Sequence, residues 1–209
     1  MIDLILCSRP PFCCYAKEKG MIIGARTDHK QQLSCCKPEF LDFNFHKPNW
    51  ELHLSVVKKY KPKYAVAPDI FKEEDIKEVL IKAKKLSVYA SSVIVVPHIS
   101  GIINKIPEEF IIGYSVPTSY GGAEIGLWEL AGRKVHLLGG TPRQQYEIWQ
   151  YIQNVVSIDG NSYLKAAQYG EFINEKLKWD RSLKYKKVDM SILVKKSIDN
   201  IVKFWQRVS

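Results

Sequence analysis

The residues that close the short apolar runs of this 209-residue sequence form an acidic series. Asp42 closes LDF (41–43), Asp69 follows AVAP (65–68) and His98 follows VIVVP (93–97). Residues 115–118 follow IIGY, Gly139 and Gly140 follow HLL, and Asp159 closes VVSID (155–159). Withdrawing a carboxylate from water at the end of a buried strand costs several kcal/mol unless the site pairs it or uses it. Arg143 is the nearest evident cation, so a salt-bridge network is poorly supplied. Three carboxylates, a histidine and two glycine corners therefore read as a catalytic cluster, and the chain as an enzyme.

Each residue also has a plainer reading. Asp159-Gly160 could be a turn, and Asp69 could cap or orient a helix beginning near Lys72. His98 could be a hydrogen-bonded loop histidine, and Asp42 lies in the run with the least strand character. Gly139-Gly140-Thr141-Pro142 fits a phosphate cradle at a helix N-terminus and equally a tight strand-to-helix corner. Gly121-Gly122 admits a flat ligand, or only a turn.

The elements that must hold these residues follow from periodicity. Eight apolar runs, at 2–7, 21–25, 39–43, 64–68, 93–97, 110–116, 134–139 and 155–159, are short, aliphatic and apolar on both faces, as buried parallel strands are. Between them, Trp50, His53, Leu54 and Val57 share one helix face, as do Ile76, Val79, Leu80 and Ala83. Thr141-Pro142 opens a further helix with a cap and a first-turn proline. A shorter helix is expected within 119–130, and 27–38 reads as irregular. The alternation predicts a compact (β/α)8 TIM-barrel-like domain over 1–170, with some helices missing or very short. An open doubly wound sheet is the alternative. In either fold the ligand sits at the carboxyl ends of the strands. A basic C-terminal extension, 171–209, is expected to pack on the barrel. It follows a helix over about 162–176 with a linker (177–187) and an amphipathic helix (188–207) whose Ile192, Val194, Ile198, Ile201, Val202 and Trp205 face inward.

Composition narrows the classes. With 46% hydrophobic and 25% charged residues the chain resembles an ordinary globular domain rather than a disordered one. No apolar run approaches the ~20 residues of a membrane span, and no secretory leader is evident, so a cytoplasmic protein is expected. Its five cysteines, Cys7, Cys13, Cys14, Cys35 and Cys36, suit neither a disulfide framework nor a familiar zinc spacing. No metal or cofactor is expected, and no glycine-rich nucleotide loop follows the first strand. The net charge of +9 is uneven: from residue 176 onward ten basic residues face three acidic ones, a net +7. Interleaved with aromatics, Lys178, Arg181, Lys184, Lys186 and Lys187, together with Arg143, could follow a phosphate backbone. A solvated surface is the plainer reading.

The order of these pieces resembles the tRNA-guanine transglycosylase superfamily. RKVHLLGGTP (133–142), a helix and VVSIDGNS (155–162) look like the closing part of that barrel, which ends on a nucleophilic aspartate. IIGYSVPTSYGGAEIG (111–126) resembles the family's base-binding loop, and LDF (41–43) and APDI (67–70) sit where its other two aspartates lie. The character is closest to the short phage-type members that insert 7-deazaguanines into DNA. The resemblance implies Asp159 as nucleophile, Asp42 as general acid and base, and Asp69 as reader of the purine edge. Gly121 and Gly122 would face the base carbonyl, with His98 and Tyr114 as pocket walls. The implied partners are a 7-deazaguanine base and a nucleic acid, DNA favoured over tRNA. The family's zinc cysteines after the nucleophile are missing, since no cysteine follows Cys36. The rival readings are a barrel enzyme acting on nucleosides or phosphosugars, and a non-catalytic nucleic-acid-binding barrel.

Overall fold

All eight apolar runs are strands, and they close into a parallel barrel in chain order. The computed structural model describes residues 2–118, 122–184 and 186–209, with the side chain of Cys35 outside that description. The strands are β1 (Asp3–Cys7), β2 (Ile22–Arg26), β3 (Phe40–Asp42), β4 (Tyr64–Val66), β5 (Ser92–Val95), β6 (Ile111–Ser115), β7 (Val135–Leu138) and β8 (Val155–Asp159). β1 pairs with β8 through Asp3 with Ser157 and Ile5 with Asp159, which seals the cylinder. The fold is a (β/α)8 TIM-barrel-like fold.

Because every strand is buried on both faces, alternation divides its residues between two cores. Ile5, Phe40, Tyr64, Val66, Ile94, Val96 and Ile111 fill the barrel, with Cys7, Leu138 and Val156 packed against them. Leu6, Ile23, Leu41, Ala65, Val95, Ile112 and Leu137 face the helices instead. The interior is tight. A Cβ on Gly24 would lie 2.4 Å from Cys7 Sγ, and one on Gly113 would lie 2.7 Å from Val96. Glycine is required at both places by close approach, not by backbone conformation.

The helical layer is uneven, and so the barrel is short in sequence. α1 (Phe12–Glu18) and α2 (Lys30–Cys35) are brief. The expectation of irregular chain over 27–38 is corrected by α2, whose single buried-side anchor, Leu33, gives no readable period. α3 (Trp50–Tyr60) and α4 (Asp75–Ser87) bury the faces that periodicity assigned, and Asn49 caps α3 by accepting from the Leu52 amide. Among the described residues, only 3-10 turns, at Ile103–Lys105 and Leu127–Leu130, follow β5 and β6. α5 (Pro142–Tyr151) has the Thr141–Gln144 capping box and a first-turn proline.

After β8 the chain departs from the single helix expected over 162–176. α6 (Ser162–Ala166) and a 3-10 turn end at Gly170, whose φ of 77° breaks the helix. A small hairpin follows, β9 (Phe172–Ile173) with β10 (Trp179–Asp180). α7 (Met190–Val208) then buries Leu193, Val194, Ile198, Ile201, Val202 and Trp205 in the outer core. Ile192, expected to face inward, is 57% exposed, because Leu193 takes the buried position. α7 sits between α1 and α5. Asp199 accepts from Tyr15 of α1, and Phe204 and Trp205 meet Tyr146 edge-on. It therefore completes the helical layer between the first and last barrel units. No helix among the described residues is long and apolar enough to cross a membrane.

Candidate active site

The rim at the carboxyl ends of the strands collects the acidic residues. Alternation points Asp42 inward from the end of β3, on the face of Phe40, and Asp159 inward from the end of β8. Asp69 lies three residues beyond β4, in a segment where Ile70 bridges to Pro97 beyond β5. That bridge sets His98 against Asp69, with Nε2 2.8 Å from Oδ2. Phe71 stacks on the His98 ring at 4.5 Å and 15°. Phe71 and Phe45 are each 48% exposed, so the acidic mouth has an aromatic lip.

Electrostatics joins the three acids. Burial, and then the negative charges of Asp159 and Asp69, push the Asp42 carboxyl up from its ordinary 3.8 to about 8. The Phe43 amide and the charge of Arg26 oppose that shift and are outweighed. Arg26 is committed elsewhere, its guanidinium gripping Asp28 at 2.6 and 3.2 Å. A carboxyl kept neutral at physiological pH can donate a proton, which an ordinary aspartate cannot.

Asp159 is held rigidly. Its Oδ1 accepts from the Gly139 amide at 2.9 Å and lies 3.7 Å from His136 Nε2. Gln145 of α5 reaches back and donates to the carbonyls of Gly139 and Asp159, at 2.7 and 2.5 Å, and so clamps the ends of β7 and β8 together. Both contacts to the carboxylate engage Oδ1, which leaves Oδ2 for chemistry.

Three further side chains belong here that motif reading passed over. His136 is fully buried one register below the rim, its Nδ1 2.8 Å from Ser157 Oγ. The Cys7 thiol is pushed well up by burial and then by the charges of Asp159 and Asp42. Burial also pushes up the Tyr163 hydroxyl, beside Cys7 and Asp159. Strand alternation was the available signal for Cys7 and His136, since each shares the inward phase of its strand.

Other expected members fall elsewhere. Tyr114 does not line the pocket; it pairs with Leu137 on the helix-facing side of β6, because Gly113 takes the inward position. Gly122 packs against Pro117, where a Cβ would meet Pro117 Cα at 2.5 Å, while Gly121 lies outside the described residues. Gly139 and Gly140 form a left-handed corner with φ of 67° and 74°. The Gly139 amide goes to Asp159 and the Thr141 amide to Gln144, so the corner is engaged internally and does not read as a phosphate cradle. Arg143 pairs with Glu147 at 2.7 Å, and Arg181 and Lys184 approach Glu171 at 3.3 and 3.8 Å. Lys178, Lys186 and Lys187 are exposed. A cleft of about 520 Å³ between Trp128 and Tyr151 has no carboxylate, histidine or lysine in its lining and offers no comparable chemistry.

A model of one protein family matches residues 16–206, nearly the whole chain. The chain belongs to DUF6610, a family of unknown function. The match takes in Asp42, Asp69, His98, His136 and Asp159 and begins after Cys7 and Cys14. No curated protein matches the chain.

Proposed function

We propose that this DUF6610 protein is a guanine transglycosylase that exchanges guanine for a 7-deazaguanine in nucleic acid, DNA in preference to tRNA. The observation carrying the reading is the place of Asp42 at one rim with Asp69 and Asp159, whose charges add to burial in pushing the Asp42 carboxyl up to about 8. Base exchange at a glycosidic bond needs a carboxylate nucleophile beside a carboxylic acid, and pairs of titratable groups driven apart by environment are how such roles are divided.

In the first half-reaction Asp159 Oδ2 attacks C1′ of a guanine nucleotide, and the bond from C1′ to the base nitrogen breaks. Asp42 gives its proton to the departing guanine. The covalent glycosyl-aspartate then meets the 7-deazaguanine, whose ring nitrogen loses its proton to Asp42 and attacks C1′, releasing Asp159. Asp69 accepts N–H donors of the purine edge, and the 2.8 Å contact with His98 fixes its orientation. A base stacked in a duplex cannot reach a barrel rim, so the nucleotide is flipped out or single-stranded. Phe45 and Phe71 offer apolar faces against which it can stack.

The test is incorporation of a radiolabelled 7-deazaguanine base into guanine-containing DNA, with tRNA in parallel, followed by a denaturing gel. Label in the polymer that vanishes in Asp159→Asn supports the reading. Release of guanine without incorporation would indicate a hydrolase, and salt-sensitive binding without either product would indicate a non-catalytic barrel.

A further inference from the structure

Away from the rim, the sulfurs of Cys13, Cys14 and Cys36 all lie within 4.8 Å of one another, the one such grouping of potential metal ligands among the described residues. The Cys13 and Cys14 sulfurs are 4.0 Å apart. We propose that these three cysteines bind a thiophilic d10 cation, Zn2+ or Cu+.

Geometry favours a cation over a bond between sulfurs. Zinc-to-thiolate bonds of ~2.3 Å put the edge of a ligand tetrahedron at ~3.8 Å, close to the Cys13–Cys14 separation, whereas a disulfide brings its sulfurs to ~2.05 Å. The setting of the cysteines is graded: Cys13 is buried, Cys36 is part-buried and Cys14 is exposed, so a cation would meet solvent on one side only. Softness selects the ion, since three sulfur donors without a carboxylate suit zinc or copper(I) and disfavour magnesium, calcium or manganese. The rim carboxylates do not close to the same spacing.

The cluster joins two short helices. Cys13 and Cys14 open α1, and Cys36 caps α2, which has six residues and cannot persist on intrinsic propensity. Leu33 packing, the Tyr60 hydroxyl on the Leu33 carbonyl at 3.1 Å, the Arg9 guanidinium on Gln31 at 2.9 Å and the Arg26 amide on Gln32 at 3.0 Å are its visible anchors. A cation across the three sulfurs would fasten the chain after β1 to the chain before β3, below the ends that carry Cys7 and Asp42. This site stands apart from the transglycosylase reading and survives its failure.

The full chain, purified under reducing conditions, is analysed for zinc and copper, then stripped and titrated with Zn2+ and with Co2+ as a spectroscopic probe. The expected result is one cation per chain, thiolate-to-cobalt charge-transfer bands, and a Tm that rises with Zn2+ and falls with chelator. Zinc or copper in the purified protein names the ion. Because Cys13 is buried and Cys13→Ser could fail to fold, Cys14→Ser at the exposed position is the decisive variant. It is expected to keep the apo fold and lose at least ~10-fold in Zn2+ affinity. Cobalt spectra without thiolate bands, Zn2+ affinity unchanged in Cys14→Ser and Cys36→Ser, or a chain lighter by two hydrogens that binds no metal would overturn the proposal.

Discussion

The two ends of the barrel hold aspartates in opposite ways. At the amino end Asp3 opens β1, and its Oδ2 takes both the Lys63 ammonium at 2.5 Å and the Tyr64 hydroxyl at 2.6 Å. At the carboxyl end Asp42 and Asp159 close β3 and β8, and among the described residues neither pairs with a lysine or arginine. Arg26 is turned to Asp28, Asp159 has an amide and a neighbouring imidazole, and Asp42 is forced toward its neutral form. One end satisfies its acid with a cation and a hydroxyl, and the other pushes Asp42 toward its neutral form.

On the proposed exchange reaction, the largest effect should come from removing the proposed nucleophile. Asp159→Asn is expected to lower the exchange rate by on the order of 10³-fold or more, measured as label incorporated per hour, while the fold is retained by circular dichroism. An exchange rate within a few-fold of wild type would place the nucleophile elsewhere.

Asp42 should impose an alkaline limb. Catalysis needs its proton, so kcat/KM is expected to fall above about pH 8, and Asp42→Asn should lose ~10²-fold or more and show no such limb. Stability carries the opposite signature from an ordinary salt-bridged aspartate. The folded chain holds this proton up to about pH 8 whereas an unfolded aspartate releases it near 3.8. Folded protein thus binds more protons between those values, and stability falls as pH rises across that window. Asp42→Asn should flatten the fall in thermal melts.

At the opposite end Asp3→Ala should do the reverse of the rim variants. It strips Lys63 and Tyr64 of their acceptor and is expected to cost about 1–3 kcal/mol of stability, read by denaturant unfolding, with the exchange rate within a few-fold of wild type. His98→Ala should act more gently still, raising KM for the base by ~10-fold with a smaller change in kcat, because it positions Asp69. The smallest effect is expected on the basic segment. Neutralising Arg181 and Lys184, which face Glu171, should weaken DNA binding less than neutralising Lys178, Lys186 and Lys187, read from the salt dependence of affinity.

Much of this was legible because buried parallel strands announce themselves as apolar runs and put polar residues at their ends. Asp42, Asp69 and Asp159 followed from that position alone. Phase within a strand was harder. A run apolar on both faces hides which residues turn inward, so nothing in the pattern corrects the resemblance, which implies Tyr114 as a pocket wall although Gly113 occupies the inward register, and nothing singles out His136 and Cys7. The close approach demanded at Gly113 is a property of the closed barrel, which no local pattern states. Short elements were illegible for a different reason. α2 and the hairpin of β9 and β10 are each shorter than the period needed to recognise them, and contacts distant in sequence hold them in place. The cysteine cluster likewise joins residues 13 and 36, which only folding brings together.

The difference between the two ends reduces to the proton on Asp42. A carbon-13 NMR titration of labelled aspartate carboxyls, with Asp42→Asn for assignment, measures it directly. A midpoint near 8 is the expected result; a midpoint near the ordinary 3.8 would contradict the account and leave the rim without its acid.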